Sequence, residues 1–516
     1  MSAPTWSPIP RQDIPVFDTV MAYVDHWAAS APSRVAVTDF GGDSITYGAL
    51  PSAVRRIRGT LRQHGVRPGD VVATLAPPSL DHWLTFLATV DMGAIWLGLN
   101  PRYRLDEWRS VLQVAAPRVL FARDQIGERD YRADIDSLTG EFGVERVPLG
   151  SGTDADDPPD SPDPREPGLL VFTSGSTGQP KGVLLAQAGL VACARIQAHH
   201  YGQWGGVVLN PLPINHVGCI VDIGLTSLVV GATQVFLEEF SPGTYIRAIE
   251  EANATLLGGV PAMLLYLMTD PGFWNADLSS VQRILWSGGA MPRTGAEVLA
   301  SLGKPLHNFY GMTETTGSVT YTPPDAGVDQ VVGTVGIPDP DWQVRIADPE
   351  SGTELAVGTV GEIQVRGPGV LHSYLGDPQA TADAFTVDGY LKTADLGVSN
   401  ADGSISLAGR LRQVFKTGGY NVFPRQVEEA IEALPGVIMA SVVARKHDVL
   451  GEVGIAFVTP IPGAPFDEEA LRTALKGSLA SYKIPKRFIP LDEPPLLAAG
   501  KVDRATLESL AAEIPL

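Results

Sequence analysis

The sequence predicts an α/β protein with a large N-terminal domain of mixed sheets layered with helices and a small α+β C-terminal domain. At 516 residues, the chain is too long for one compact core. Short apolar strand patterns alternate with amphipathic helix patterns, as in residues 71–100, where Pro77 and Pro78 separate the two. Basic residues become more frequent after Gly409. We therefore predict an N-terminal domain of residues 1–411 and a C-terminal domain of residues 412–516.

Two local patterns support this division. Pro424 marks the first turn of a predicted helix that carries Val427, Ile431 and Leu434 on one face and ends before the Pro-Gly pair at 435–436. Residues 151–168 are acidic and rich in proline, which predicts a surface loop, because such residues cannot bury apolar area.

Composition narrows the possible partners and the compartment. The net charge of −20 argues against binding to nucleic acid or acidic membranes, although it leaves room for a local basic pocket. The uncharged stretch 223–237 is too short to span a bilayer and indicates buried core. Cys193 and Cys219 lack metal or disulfide spacing, and residues 1–17 lack the apolar run of a signal peptide. We expect a cytoplasmic protein with two buried free thiols and no membrane span.

The segment 169–182, LLVFTSGSTGQPKG, joins an apolar strand pattern to a loop of glycine and hydroxyl residues. Glycines let backbone N–H groups converge on an anion, and Lys181 adds a positive charge. The spacing differs from a Walker A loop, because Gln179 and Pro180 separate Gly178 from Lys181. A polyphosphate site explains this composition better than a surface linker does. The residues predicted to bind phosphate are Thr173, Ser174, Gly175, Ser176, Thr177, Gly178 and Lys181.

This loop resembles that of the adenylate-forming (AMP-binding) superfamily, which includes acyl- and aryl-CoA synthetases, adenylation domains of peptide synthetases and firefly luciferase. The resemblance extends over about residues 17–504, and the chain is similar to the acyl- and aryl-CoA synthetases, such as fatty-acid–CoA ligases and 4-coumarate–CoA ligase. It implies that ATP activates a carboxylic acid as an acyl-adenylate, which is then transferred to CoA. Its implied ligands are ATP, Mg²⁺ and CoA, and its implied C-terminal domain is a mobile lid.

Residues 308–314, NFYGMTE, resemble a second motif of the family. An aromatic ring beside a glycine can stack on a purine, and a carboxylate can hold Mg²⁺ on phosphate oxygens. The resemblance implies that Tyr310 packs on adenine, Thr313 contacts the α-phosphate and Glu314 holds the metal. The other nucleotide contacts predicted from this motif and from the turn at 288–290 are Asn308, Phe309, Gly311, Gly288, Gly289 and Ala290.

Two further motifs, at 389–395 and 409–410, resemble the family's ribose-binding residues. A carboxylate can accept hydrogen bonds from both ribose hydroxyls, and a nearby arginine can bind ribose or phosphate oxygens. The resemblance assigns these roles to Asp395 and Arg410. Ala394 departs from the pattern, because most members have glycine there.

Lys501 lies in AAGKVDR, which resembles the last motif of the family. The resemblance implies that this lysine neutralises charge that develops between the substrate carboxylate and the α-phosphate. A cation placed there would be a strong transition-state stabiliser.

The second half-reaction is predicted from the residues that follow Arg410. The family usually has aspartate or lysine at the hinge, where this chain has Arg412, and a second aspartate is replaced by Gln413. These departures bear on the angle and rate of domain rotation. Residues 416–424 resemble a segment that lines the pantetheine tunnel, which implies contacts from Lys416, Gly418 and Gly419, although a plain β-turn also fits.

The acyl pocket is predicted from residues 212–219, which resemble the segment that gates it. His216 matches the gate beside the carboxylate, and Val217 stands where peptide synthetases place an aspartate for an α-ammonium. An ammonium facing valine would go unpaired, so we disfavour α-amino acids. Gly218, Val260 and Trp286 are expected to line an apolar cavity for a fatty, aromatic or bulky acid.

Two alternatives remain open from the sequence. The acceptor can be an acyl carrier protein in place of free CoA. A catalytically inactive nucleotide-binding protein is less consistent with the sequence, because the residues that carry the chemistry are all present together: Lys181, Glu314, Asp395, Arg410 and Lys501.

Overall fold

The computed structural model describes residues 7–153, 161–173, 180–461, 463–496 and 502–516. The first part of the chain contains α1 (Val20–Ser30), β1 (Val35–Asp39), β2 (Ser44–Thr46), α2 (Leu50–Gln63), β3 (Val71–Leu75), α3 (Leu80–Asp91), β4 (Ile95–Leu99), α4 (Leu105–Ala115), β5 (Val119–Ala122), β6 (Gln125–Ile126), β7 (Arg129–Asp130), α5 (Arg132–Phe142) and β8 (Glu145–Pro148).

The middle part contains β9 (Pro167–Thr173), β10 (Lys181–Ala186), α6 (Gln187–Tyr201), β11 (Val207–Asn210), a π-helical segment (Gly218–Leu225), α7 (Thr226–Val229), β12 (Thr233–Phe236), α8 (Pro242–Ala252), β13 (Leu256–Gly259), α9 (Pro261–Thr269), β14 (Arg283–Ser287), α10 (Arg293–Ala300), β15 (Leu306–Met312), β16 (Gly317–Tyr321), α11 (Val328–Gly333) and β17 (Ile337–Pro338).

The last part contains β18 (Gln343–Ala347), β19 (Val360–Arg366), β20 (Ser373–Tyr374), α12 (Pro378–Ala384), β21 (Leu391–Ser399), β22 (Ile405–Arg410), β23 (Phe415–Thr417), β24 (Tyr420–Val422), α13 (Pro424–Glu432), β25 (Val437–His447), β26 (Gly451–Pro460), α14 (Glu468–Leu475), β27 (Arg487–Pro490) and α15 (Arg504–Glu513).

Two large sheets form the N-terminal part. One has nine strands in the order β17-β16-β15-β14-β13-β11-β12-β1-β2, and the other has seven in the order β20-β10-β9-β4-β3-β5-β8. Helices α3 and α6 contribute buried residues to one apolar core together with strands of both sheets. Both helices are therefore buried on most faces, as expected for helices packed between sheets.

A four-stranded sheet, β18-β19-β21-β22, ends the N-terminal part, and a five-stranded sheet forms the C-terminal part. In the latter, β24-β23-β26-β25 follow one another, and β27 pairs with β26. The segment between these two sheets is short, with a 3-10 turn at Leu411–Gln413. Mixed sheets layered with helices, followed by a smaller α+β unit, are the fold class that the sequence predicts.

Local predictions agree with the structure in most places. Residues 71–100 form strand, helix and strand, and α13 begins with Pro424 but ends at Glu432, two residues before Leu434 of the predicted helix. The predicted loop 151–168 is too long at its end, because Pro167 and Gly168 already pair in β9. Cys193 and Cys219 are buried free thiols, as expected. No helix within the described ranges is long and apolar enough to cross a membrane.

Candidate active site

The phosphate-loop strands β9 and β10 pair antiparallel and bring Thr173 opposite Lys181. The residues between them that we predicted to bind phosphate, Ser174, Gly175, Ser176, Thr177 and Gly178, lie outside the described residues. Nζ of Lys181 lies 5.1 Å from the centre of the Tyr374 ring, which is within the range of a cation–π contact. Strand β20 brings Tyr374 there by pairing with β10. The lysine charge is therefore held beside an aromatic ring.

Glu314 contacts the hydroxyl group of the same tyrosine. The Tyr374 hydroxyl donates a hydrogen bond to Oε1 of Glu314, with an oxygen–oxygen distance of 3.1 Å. Glu314 is buried, and its backbone carbonyl accepts a hydrogen bond from Leu371, so both its main chain and its carboxylate are fixed. Burial raises the pKa of Glu314, while the Tyr374 hydrogen bond and the nearby Arg410 cation oppose the rise. A divalent cation would favour the ionised carboxylate.

A second chain of contacts begins at Tyr310, on β15. Its hydroxyl donates to Oδ2 of Asp395 at 2.9 Å, and Nε of Arg410 lies 2.9 Å from Oδ1 of the same carboxylate. Tyr310 and Asp395 are buried, whereas the Arg410 side chain is 61% exposed. Burial raises the pKa of the Tyr310 phenol well above its ordinary value, so it stays protonated and remains a donor. The structure thus brings together Tyr310, which the resemblance assigns to adenine, and Asp395 and Arg410, which it assigns to the ribose.

The turn after β14 lies beside the second half of β15, because these strands are parallel neighbours and Ser287 pairs with Phe309. Gly288, Gly289 and Ala290 are exposed, and Gly288 has a φ of 82°, which favours glycine. Asn308 and Phe309 are buried: the Asn308 amide donates to two backbone carbonyls, and Phe309 stacks on Tyr201 with ring centres 5.1 Å apart. These two side chains hold the strand in place from within.

Gly311 on β15 lies directly against the backbone of the neighbouring strand β16. A Cβ added to Gly311 would lie 1.9 Å from the carbonyl oxygen of Gly317, which no side chain can tolerate. We expect Gly311→Ala to destabilise the fold by roughly 1–3 kcal/mol, the usual cost of overpacking. Urea unfolding measures this, with Gly333→Ala as the matched control, since a Cβ there meets nothing within 4 Å. Equal stability of the two variants would contradict the close approach.

A cavity opens beside these motifs. Among its lining residues, Gly288 is exposed and Met312 is partly exposed, so these two and Thr313, the neighbour of Glu314, mark its mouth. The lining residues Tyr201 and Arg283 are buried. Further wall residues include His216, Val217, Gly218 and Val260. Nδ1 of His216 accepts a hydrogen bond from the backbone N–H of Gly218 at 3.0 Å, which orients the ring. The walls are mostly apolar, so the cavity suits a hydrophobic ligand whose polar end reaches the mouth.

Comparison with known proteins agrees with this arrangement. The family model for AMP-binding enzymes matches residues 24–375, and that for their C-terminal domain matches residues 426–501. The chain belongs to the AMP-binding enzyme family. It is 32% identical to the indoleacetate–CoA ligase of Aromatoleum aromaticum over 505 residues, which cover 95% of this chain and 98% of the relative.

Two more similarities extend over nearly the whole chain. A feruloyl-CoA synthase from an Amycolatopsis species is 33% identical over 478 residues, which cover 92% of this chain and 95% of the relative. Among solved structures, ATP-bound MatB from Rhodopseudomonas palustris superimposes with a TM-score of 0.88 and 27% identity, over 96% of this chain and 99% of that chain.

The prediction for Trp286 in this AMP-binding enzyme is wrong. Successive side chains of β14 point to opposite faces of the sheet. Arg283, Leu285 and Ser287 face the cavity, whereas Ile284 and Trp286 pack into a separate apolar core behind it. Trp286 is fully buried there and does not line the cavity.

Sequence reasoning also missed two residues of the site. Tyr374 links Lys181 to Glu314, yet it lies in a two-residue strand that no periodic pattern marks. Asp222 lines the cavity from the π-helical segment Gly218–Leu225. A signal for Asp222 was present, since it is one carboxylate within an otherwise apolar run, where a charge needs a reason.

The C-terminal residues predicted for the thiol step are exposed. Gly418 and Gly419 form the two-residue turn between β23 and β24 with φ values of 58° and 88°, a turn that demands glycine-like residues. Lys416 lies on the same hairpin, and Arg412 lies in the exposed 3-10 turn between the two parts of the chain. Lys501 is outside the described residues. These C-terminal assignments remain predictions.

Proposed function

We propose that this AMP-binding enzyme is an AMP-forming acid–thiol ligase that joins a hydrophobic carboxylic acid to CoA. One observation carries the proposal: the mouth of an apolar cavity, at Thr313, adjoins Glu314, which Tyr374 links to Lys181. A carboxylate at the mouth of the cavity would therefore meet the phosphates of a nucleotide.

The first half-reaction follows from this placement. The substrate carboxylate attacks the α-phosphorus of ATP in line and releases pyrophosphate, and the acyl-adenylate remains bound. Lys181 and the phosphate loop hold the phosphates, Thr313 contacts the α-phosphate, and Tyr310, Asp395 and Arg410 hold the adenosine. Lys501 neutralises charge at the reacting centre.

Mg²⁺ fits the residues present. It usually binds through one or two carboxylates together with substrate phosphates, and Glu314 supplies one buried carboxylate beside the lysine that would hold those phosphates. When bound, Mg²⁺ supplies Lewis-acid stabilisation of phosphate charge.

The second half-reaction requires the C-terminal domain to turn. We place the domain boundary at 411/412 and the hinge at Arg412, because β22 ends at Arg410 and the next sheet begins at Phe415. The hairpin with Lys416, Gly418 and Gly419 would then line the tunnel through which the CoA thiol reaches the acyl-adenylate. The thiol attacks the acyl carbonyl, the thioester forms, and AMP leaves.

The preferred acid is aromatic or otherwise bulky and hydrophobic. The cavity walls are mostly apolar, and the residue that follows His216 is the buried, apolar Val217, which offers no charge to an α-ammonium beside the substrate carboxylate. The two relatives named for indoleacetate and ferulate support an aromatic acid. Free, buried cysteines are consistent with a reducing compartment, so we place the reaction in the cytoplasm.

A panel of acids tests the proposal. Acid-dependent pyrophosphate release should be greatest with aryl-acetic, cinnamic or fatty acids and weakest with α-amino acids, because apolar Val217 beside His216 offers no charge to an ammonium on the α-carbon. Thioester formation should follow with free CoA. Greatest turnover with an α-amino acid would contradict the pocket assignment, and thioester formation with a holo carrier protein but not with CoA would change the acceptor.

A further inference from the structure

Asp222 places a carboxylate inside the wall of the acyl cavity. It lies in the π-helical segment Gly218–Leu225. The π-helix is rare in proteins, and where it occurs it is often at a functional site. The apolar neighbours Val221 and Ile223 flank it in the sequence. Burying a carboxylate near an apolar ligand is costly unless hydrogen bonds compensate for lost hydration. The position therefore calls for an explanation beyond packing.

Neighbouring side chains fix this carboxylate in one orientation. Nε2 of Gln197 donates to Oδ1 of Asp222 at 2.6 Å, and Oε1 of Gln197 accepts from the Thr226 hydroxyl at 2.8 Å. The second bond sets which way the Gln197 amide faces. The Tyr201 hydroxyl donates to the backbone carbonyl of Asp222 at 3.1 Å. Gln197 and Tyr201 are one turn apart on α6, so one rigid helix supports both contacts.

Two glycines pack closely against the carboxylate, where a side chain would not fit or would touch it. A Cβ on Gly317 would lie 2.4 Å from Oδ1 of Asp222 and 2.5 Å from Nε2 of Gln197, so any larger residue would displace the pair. A Cβ on Gly218 would lie 3.8 Å from Oδ2 of Asp222 and 3.1 Å from Nδ1 of His216. Gly317 and Gly218 also line the cavity. The carboxylate is thus held by α6 and lies beside two glycines in the wall of the cavity.

From this geometry we propose that Asp222 determines substrate specificity by accepting a hydrogen bond from an N–H or O–H group on the hydrophobic body of the acid. A carboxylate has about four acceptor positions, so it can bind a ligand donor in addition to its protein partners, among them the Gln197 amide. The inference rests on the proposed function and adds to it the chemical class of the acid: an aromatic acid that carries a phenol, aryl amine or indole N–H.

The negative charge of Asp222 sets how strongly the enzyme should prefer an acid that carries a hydrogen-bond donor. A hydrogen bond to a charged group is stronger than one between neutral groups, and a site built for a donor discriminates against the analogue that lacks it. We expect the enzyme to prefer a donor-bearing acid over its isostere by about ten- to a hundred-fold in kcat/KM.

Matched acids test this preference through pyrophosphate release. The pairs are indole-3-acetate with 1-benzothiophene-3-acetate, 4-hydroxycinnamate with 4-methylcinnamate, and 3-aminocinnamate with 3-methylcinnamate. At least one pair should favour the donor in the wild-type enzyme. Asp222→Val should bring that ratio close to one by lowering kcat/KM for the donor acid alone. Asp222→Asn, which keeps the shape and one acceptor oxygen, should retain part of the preference.

A double variant provides the same test if Asp222→Val does not fold. Asp222→Val leaves the buried Gln197 amide without its acceptor, which is destabilising. The double variant, Asp222→Val with Gln197→Met, removes both partners. If the single variant does not fold, the test is the ratio of kcat/KM for the donor acid to that for its isostere in the double variant. Two results would overturn the inference: no wild-type preference in any pair, or equal loss for both acids of a pair on Asp222→Val. Absence of pyrophosphate release with every acid would instead refute the proposed function, and this inference with it.

Discussion

Replacing Lys501 with alanine is expected to slow acyl-adenylate formation by about 10²–10³-fold. The physical reason is electrostatic: charge builds between the substrate carboxylate and the α-phosphate in the transition state, and a cation placed there stabilises it more than the ground state. Single-turnover pyrophosphate release with a good acid measures the effect. Because the lysine acts on the transition state, kcat should fall far more than the affinity for ATP.

Two comparisons make the Lys501 prediction specific. Lys446→Ala removes another lysine of the C-terminal domain, an exposed one on β25, and should leave the rate unchanged. Supplying synthetic acyl-adenylate and CoA bypasses the first half-reaction, so Lys501→Ala should then make thioester at close to the wild-type rate. A normal adenylation rate in Lys501→Ala would remove this residue from the mechanism.

Glu314→Gln is expected to produce the other large loss, about 10²-fold in adenylation, with a weakened affinity for Mg²⁺ in the presence of ATP. Glutamine keeps the shape of the side chain but removes the negative charge that would hold the metal. Isothermal titration of Mg²⁺ with ATP present measures binding separately from rate. Tyr374→Phe is the matched control, since it removes the hydrogen bond to Oε1 and keeps the carboxylate.

The direction of the Glu314 pKa gives a further check. Burial raises this pKa, so the carboxyl takes up a proton at a higher pH than an exposed glutamate does. Mg²⁺ affinity should therefore weaken as the pH falls through the raised value in wild type, but not in Glu314→Gln. In the metal-free fold, burial favours the protonated carboxyl more than the unfolded chain does, so the folding stability that this group contributes at low pH is lost as the pH rises through its raised pKa. Glu314→Gln should consequently be at least as stable as wild type at neutral pH. If Glu314→Gln is less stable than wild type but binds Mg²⁺ with normal affinity, the role of Glu314 is structural only.

The motifs were readable from the sequence because each joins residue types with a definite chemistry at a fixed spacing. Tyr310, Asp395 and Arg410 are separated by many residues, yet the structure joins them through two hydrogen-bonded contacts of 2.9 Å. The backbone at Ala394 accounts for the glycine that most members of the family have there. Its φ is 58°, a left-handed conformation that glycine adopts more easily. Its backbone N–H donates to Glu362, which helps to hold it there.

Residues that depend on register were not readable. Strand β14 is buried on both faces, so its apolar run has no alternation that could tell the face of Leu285 from that of Trp286. Tyr374 is brought to Lys181 by pairing of two strands far apart in the chain, which local patterns do not encode. Asp222 stands out in the sequence as a single carboxylate in an apolar run, but its place in the cavity wall depends on the surrounding π-helical geometry, which no spacing rule predicts.

An isotope experiment tests adenylation itself most directly. The enzyme is given a carboxylic acid with both carboxylate oxygens labelled with ¹⁸O, together with unlabelled ATP, Mg²⁺ and CoA, and the products are weighed by mass spectrometry. Attack of the carboxylate on the α-phosphorus predicts AMP that carries one ¹⁸O atom and a thioester that keeps the other. Unlabelled AMP, or label found in inorganic phosphate with ADP as the nucleotide product, would contradict the account.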